Sequence, residues 1–140
     1  MNEQEHLRVL ALIPAWNEHA RIAPIIEEAR RHVPVLVVDD GSVDATPEVA
    51  EAAGATVVRH PENRGKGAAL QTGFDWALDH DYDAVITLDA DGQHDPTEIP
   101  RFLVALAEEA GDLIIGERRF SEMAWPRPVT TRFGAWVLSL

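Results

Sequence analysis

Short apolar segments alternate with longer amphipathic segments along most of the chain. The apolar segments predict strands at residues 7–13, 35–38, 56–59, 84–88 and 112–116. The amphipathic segments predict helices at residues 18–32, 46–53, 67–80 and 96–110. Strands that are apolar throughout and alternate with helices indicate a mostly parallel sheet covered on both faces. The pattern therefore predicts an α/β fold with three layers.

The alternation of apolar and amphipathic segments stops after Gly116. A stretch rich in arginine and proline is followed by the apolar residues 133–140, which predict the start of an amphipathic helix. The chain ends inside that predicted helix, as a truncated domain would. We therefore expect residues 1–120 to form the core of the fold and residues 121–140 to begin a further, incomplete segment.

Polar segments follow the first four predicted strands, at residues 14–18, 39–42, 60–67 and 89–95. In open α/β sheets, ligands bind outside the carboxyl ends of the strands. We therefore expect these four segments to build one site at the same edge of the sheet.

The segment after the fourth strand carries two carboxylates, Asp89 and Asp91. Residues two apart in an extended chain point the same way, so both carboxylates can converge on one point. Two like charges repel unless a cation or a proton is shared between them. Without cysteine, such an oxygen-rich site favours Mg²⁺ or Mn²⁺, and Mg²⁺ usually binds substrate phosphates as well. Gln93 offers a third oxygen ligand, whereas His94 is better interpreted as a residue that supports the loop.

A strand followed by Asp-x-Asp also occurs in haloacid-dehalogenase-type phosphatases, where the first Asp is phosphorylated. Those enzymes carry the motif on an early strand, whereas here it follows the fourth, and little chain remains for their later motifs. We therefore rank the metal site above a phosphatase with Asp89 as nucleophile.

Two other segments leave two interpretations open. Asp39 and Asp40 could accept hydrogen bonds from a base or ribose, or could form an ordinary turn and helix cap. The glycine-rich turn at residues 63–67 could hold phosphate oxygens through Arg64 and Lys66, or could be a helix start with two solvated cations. It matches neither a Walker A loop nor the full dinucleotide fingerprint.

The bulk composition narrows the class of protein. The 140 residues carry a formal net charge of -12, which argues against a nucleic-acid partner. The chain has no cysteine, no recognisable signal peptide and no apolar run long enough for a membrane span. These features predict a cytoplasmic protein. An incomplete domain would also expose apolar surface, which predicts pairing into a homodimer.

Taken together, the motifs resemble those of family 2 glycosyltransferases with the GT-A (Rossmann-like) fold. The resemblance rests on residues 13–18 (IPAWNE), 37–44 (VVDDGSVD), 63–67 (NRGKG), 88–96 (LDADGQHDP) and 115–118 (IGER). Within the family, the chain is most similar to polyprenol-phosphate sugar transferases of the dolichol-phosphate mannose synthase type. Residues 1–120 would then be the nucleotide-sugar-binding core, and residues 121–140 the start of an acceptor-side segment.

The resemblance also implies a role for each matching residue. Asp40 would contact the base or ribose, with Asp39 supporting it. Arg118 and Arg132 would face the acceptor phosphate and the donor diphosphate, and would share the catalytic role with Asp91. The remaining donor-binding residues would be Pro14, Ala15, Trp16, Glu18, Lys66, Asp89 and Ala90, and the ligands of Mg²⁺ or Mn²⁺ would be Asp89, Asp91 and Gln93.

The implied reaction is inverting transfer of a sugar from GDP-mannose or a UDP-sugar to a polyprenyl phosphate. The lipid acceptor would bring the protein to the cytoplasmic face of a membrane. The alternative is a truncated module that binds the nucleotide-sugar without catalysing transfer.

Overall fold

A computed structural model of the protein describes residues 7–92, 94–109, 113–116, 128–131 and 136–139. The strands within these residues are β1 (Val9–Ala15), β2 (Val35–Asp39), β3 (Thr56–Arg59), β4 (Ala84–Thr87), β5 (Leu113–Gly116), β6 (Pro128–Thr131) and β7 (Trp136–Ser139). The helices are α1 (Ile22–Ala29), α2 (Thr46–Ala52), α3 (Lys66–Asp79) and α4 (Ile99–Glu109), and a 3₁₀ turn (Pro96–Glu98) leads into α4.

The strands join one sheet in the order β3-β2-β1-β4-β7-β5-β6. Strand β1 pairs in parallel with β2 and β4, and β2 pairs in parallel with β3. Strand β7 runs antiparallel to both β4 and β5, while β5 and β6 are parallel. The predicted mostly parallel sheet is therefore confirmed, and the carboxyl ends of β1, β2 and β4 meet at one edge.

Helices cover both faces of this sheet. Alternate residues of each strand point to opposite sides, so both faces carry apolar side chains that the helices bury. Ala11 and Ile13 of β1 belong to a buried cluster that includes apolar residues of α1, α2 and α4. Leu10 and Leu12 belong to a second cluster, formed with α3. A Cβ at Gly73 of α3 would lie 2.3 Å from Leu12 Cδ1, so only glycine lets this helix approach β1 so closely.

The structure corrects the start of the first helix, which begins at Ile22 rather than at residue 18. The main-chain N–H groups of Asn17 and Glu18 donate to the hydroxyls of Ser42 and Thr46, so these residues form a loop tied to the next strand end. Asn17 also adopts a left-handed conformation, with φ of 53°. Local sequence did not reveal these contacts with residues about 25 positions away.

The predicted amphipathic helix at residues 133–140 is wrong, because residues 136–139 form strand β7. A short apolar run fits a helix or a strand equally well, and here the open edge of β4 selects the strand. Ile86 of β4 pairs with Val137, and Val85 pairs with Leu138. Residues of the predicted incomplete segment therefore join the same sheet as the preceding core. Among the described residues, no helix is both long and apolar enough to cross a membrane.

Candidate functional site

A cleft of about 320 Å³ opens at the carboxyl ends of β1, β2 and β4. Its walls contain every residue predicted for donor binding except Asp39, together with the predicted metal ligand Asp91. The lining residues are Pro14, Ala15, Trp16, Glu18, Asp40, Asn63, Gly65, Lys66, Ala69, Asp89, Ala90 and Asp91. Four segments that are distant in sequence thus meet at the predicted edge of the sheet.

The loop after β1 forms one wall of the cleft and is held from behind. Asn17 N–H donates to Ser42 Oγ over 2.8 Å, and Asn17 Oδ1 accepts from Val43 N–H over 3.0 Å. These bonds fix the loop between Trp16 and Glu18, both of which line the cleft. Trp16 remains 52% exposed, so its indole ring offers a wide apolar wall beside polar groups.

Asp44 stabilises the contact between the loop after β1 and the loop after β2. Its carboxylate accepts from the main-chain N–H of Thr46 over 2.9 Å and also from the Thr46 hydroxyl. His19 Nδ1 lies 2.6 Å from the other oxygen. Burial raises the pKa of Asp44, but the hydrogen bonds from Thr46 and His19 outweigh burial and lower it to about 2. Asp44 is therefore ionised at neutral pH.

Asp40 connects the end of β2 to the glycine-rich turn before α3. Its Oδ2 accepts from Gly65 N–H, and its Oδ1 accepts from Arg64 N–H, each over 2.8 Å. The buried His60 ring contacts the same Oδ1 through Nδ1 at 2.8 Å and Thr72 of α3 through Nε2. Burial raises the pKa of Asp40, but these hydrogen bonds outweigh it and lower the pKa overall. Asp40 thus holds the turn beside the cleft, and its predicted contact with a base or ribose stays a prediction.

Gly41 allows the loop after β2 to pack against the turn at residues 62 and 63. Its φ of 77° is in the left-handed region, and a Cβ there would lie 2.4 Å from the main-chain carbon of Glu62. Because that neighbour is backbone, it cannot rotate away as a side chain could. A residue without a Cβ is therefore required where the turn from residue 62 crosses the end of β2.

Asp39 lies behind the cleft rather than in its wall. Its side chain is fully buried, and Oδ2 accepts from Ser42 N–H over 3.1 Å, with Arg59 Nε 3.8 Å away. Its other oxygen, Oδ1, has no hydrogen-bond partner among the described residues. These contacts fit the supporting role predicted for Asp39, although they do not test it.

Asp89, in the loop after β4, is contacted by Lys66 and His94. Its Oδ1 lies 2.5 Å from Lys66 Nζ at the start of α3. Its main-chain N–H donates to Nδ1 of the buried His94 over 2.8 Å, and His94 Nε2 lies 3.7 Å from Asp89 Oδ2. The Lys66 ammonium thus offsets part of the negative charge that Asp89 and Asp91 bring to the cleft.

The donor set fits a hard divalent cation held together with phosphate oxygens. Asp89 and Asp91 line the same cleft, and Lys66 beside them supplies a cationic group for an anionic ligand. In the part of the chain that the structure describes, no three His, Asp or Glu side chains form a metal-binding group. Mg²⁺, however, is commonly bound by one or two carboxylates, with water and substrate phosphates completing its shell.

Three predicted site residues, Gln93, Arg118 and Arg132, lie outside the described residues. Three lining residues were not predicted from the sequence: Asn63, Gly65 and Ala69, of which the first two belong to the glycine-rich turn at residues 63–67. The role of His60 was also not predicted, because its partners lie 20 and 12 residues away and leave no signal in the local sequence.

Comparison with known proteins identifies the family. The family model described as "Glycosyl transferase family 2" matches residues 11–136. The chain belongs to glycosyl transferase family 2. This membership confirms the resemblance seen in the motifs and favours the glycosyltransferase over the phosphatase.

Two curated relatives of this family 2 member have names that combine a polyprenol phosphate with mannose. The undecaprenyl-phosphate mannosyltransferase of Micrococcus luteus is 36% identical, over 96% of this chain and 58% of the relative. The polyprenol monophosphomannose synthase of Mycolicibacterium smegmatis is 37% identical, over 79% of this chain and 45% of the relative. The chain therefore spans about half the length of these relatives.

A solved structure shares the fold. Glucosyl-3-phosphoglycerate synthase from Mycobacterium tuberculosis, in complex with Mn²⁺, UDP-glucose and phosphoglyceric acid, superposes with a TM-score of 0.74 at 23% identity. The match covers 97% of this chain and 58% of that one. The likeness confirms the predicted GT-A fold.

Proposed function

We propose that this family 2 domain transfers a sugar, with inversion, from a nucleotide-sugar to a polyprenyl phosphate in the presence of Mg²⁺ or Mn²⁺. One observation carries the proposal. A single cleft brings together an exposed indole wall, the Asp89 and Asp91 carboxylates and the Lys66 ammonium, at the sheet edge where α/β folds bind ligands. The family membership supports glycosyl transfer.

The donor would bind along the cleft with its base beside Trp16 and its diphosphate beside the carboxylates. Pro14, Ala15 and Glu18 complete the wall on the side of the base. Asp39 and Asp40 would support this half of the site, with GDP-mannose or a UDP-sugar as the donor. The names of the two curated relatives favour a mannosyl donor.

Asp89, Asp91 and Gln93 would hold the cation, and Ala90 would line the part of the cleft that receives the diphosphate. When bound, Mg²⁺ or Mn²⁺ neutralises charge that develops on the leaving diphosphate. Lys66 adds a direct charge-assisted hydrogen bond to phosphate oxygens. The structural neighbour was solved with Mn²⁺ and UDP-glucose bound, which supports a divalent cation and a nucleotide-sugar donor in the proposed reaction.

The acceptor phosphate would attack the anomeric carbon from the face opposite the leaving group. A bond forms from the acceptor oxygen to that carbon, while the bond from carbon to the diphosphate oxygen breaks and its electron pair leaves with the nucleoside diphosphate. Because a phosphate is already an anionic nucleophile, no general base is needed. Arg118 and Arg132 would neutralise the acceptor and the departing diphosphate. A lipid acceptor implies work at the cytoplasmic face of a membrane.

Transfer assays with the whole 140-residue chain test this proposal. We expect Mn²⁺-dependent transfer of radiolabelled mannose from GDP-mannose, or of glucose from UDP-glucose, to undecaprenyl phosphate in detergent, and no transfer to undecaprenol. Asp91→Ala should abolish the activity, whereas Glu27→Ala, at an exposed position of α1, should not. Metal-dependent binding of a donor without transfer to any lipid phosphate would instead identify a non-catalytic nucleotide-sugar-binding module.

A further inference from the structure

His94 is a buried histidine in the loop that carries the two acidic residues. Only 5% of its surface is exposed, and it does not line the donor cleft. Its ring nevertheless contacts Asp89 twice. Nδ1 lies 2.8 Å from the Asp89 main-chain nitrogen, and Nε2 lies 3.7 Å from the Asp89 Oδ2 atom.

The first of these contacts determines the form of the ring. A main-chain N–H can only donate, so Nδ1 must accept with its lone pair. The ring proton is then on Nε2, the nitrogen that faces the Asp89 carboxylate. One neutral imidazole thus holds the main chain of Asp89 and directs an N–H towards its side chain.

We propose that His94 is a positioning residue that holds Asp89 in the orientation needed to bind the divalent cation. The inference rests on the proposed function, since it assigns a role toward the cation of that site. Lys66 already takes one Asp89 oxygen from the cleft side, while His94 faces the other from the protein interior. Groups behind a ligand fix its direction, and their loss typically lowers metal affinity about 10- to 100-fold.

Two substitutions separate this role from simple packing. His94→Leu fills the space but removes the acceptor for Asp89 N–H. His94→Asn restores an acceptor, because Asn Oδ1 is two bonds from Cβ, as Nδ1 is in histidine. His32→Leu, in the turn after α1 where His32 contacts Glu28, controls for the loss of a histidine elsewhere.

Two measurements test the proposal. Electron paramagnetic resonance measures Mn²⁺ binding in the absence of nucleotide, and NMR measures hydrogen exchange of the Asp89 amide. We expect His94→Leu to weaken Mn²⁺ binding about 10- to 100-fold and to accelerate exchange of the Asp89 amide. His94→Asn should recover most of both, and His32→Leu should match the unsubstituted chain.

Three results would contradict these expectations, and they differ in meaning. Unchanged Mn²⁺ affinity in both His94 variants would overturn the positioning role and leave the metal site standing. Equal weakening in both variants, with matching losses in melting temperature, would show that the ring only packs. No Mn²⁺ binding by the unsubstituted chain, either alone or with GDP or UDP present, would overturn the cation site on which the proposed function rests.

Discussion

Replacing Lys66 with methionine should change metal binding and nucleotide binding in opposite directions. Lys66 Nζ lies 2.5 Å from Asp89 Oδ1, so its ammonium and a divalent cation compete for the same oxygen. Methionine keeps the length of the side chain but removes the charge. Without the competitor, Mn²⁺ alone should bind more tightly, whereas a nucleoside diphosphate should lose a phosphate contact and bind more weakly.

The structure sets the size of both effects. The Lys66 side chain is 62% exposed and that of Asp89 is 19% exposed, so water screens their attraction. An ion pair of this kind contributes about 0.2–1 kcal/mol, which corresponds to Mn²⁺ binding about 1.4- to 5-fold tighter after its removal. A hydrogen bond from a charged donor contributes about 1.5–3 kcal/mol, so GDP or UDP with Mn²⁺ should bind about 10- to 150-fold more weakly.

Calorimetric titrations of Mn²⁺ alone, and of each nucleotide with Mn²⁺ present, provide the two affinities. Arg64→Met is the matched control, because it removes one positive charge from the same turn while its main-chain bond to Asp40 is retained. We expect that control to leave the affinity for Mn²⁺ alone unchanged. If Lys66→Met leaves both affinities unchanged, or shifts Mn²⁺ affinity no more than Arg64→Met does, the competition argument is refuted.

Three further substitutions test the loops and the core, each by urea denaturation. Gly41→Ala should lower the free energy of unfolding by about 1–3 kcal/mol and weaken nucleotide binding. Gly92→Ala is also at positive φ but has no atom of the described residues within 4 Å of its Cβ, so it should lower the free energy of unfolding less. Equal losses in the two variants would refute the close approach of residues 41 and 62. The lowered pKa of Asp44 stabilises the folded state above the unfolded pKa of 3.8, and this contribution is lost as the pH falls towards about 2. Across that interval the unsubstituted chain should lose roughly 1 kcal/mol more free energy of unfolding than Asp44→Asn. Parallel pH profiles of the two proteins would contradict this. Gly73→Ala should lower the free energy of unfolding by about 1–3 kcal/mol through overpacking. Gly67→Ala, in the first turn of the same helix, should not, because no atom of the described part of the chain lies within 4 Å of its Cβ. An increase in stability in Gly73→Ala would refute the overpacking argument.

The sequence predicted the sheet and the location of the site because both depend on local pattern. The apolar run at residues 84–87 lies between two amphipathic segments, which favours a buried strand of a parallel sheet. Parallel strands bring the polar residues that follow them to one edge. Asp89 and Asp91 were found for that reason.

What the sequence did not predict depends on contacts between distant residues. The bonds from Asp40 to the turn at residues 64 and 65 arise only after two strands have paired. Trp136 and its neighbours form a strand because β4 has an open edge to pair with, which no local pattern records. The sequence predicts His94 only as a residue that supports the loop, because its contacts with Asp89 depend on how that loop folds.

The most direct test of the central claim is calorimetric titration of GDP and UDP into the protein, with and without Mn²⁺. The account predicts that one of the two nucleotides binds tightly only when Mn²⁺ is present, and that Asp91→Ala abolishes this dependence. Binding that is equally tight with and without Mn²⁺ would contradict the cation site at Asp89 and Asp91. Absence of binding by either nucleotide would contradict the assignment of the cleft as a donor site.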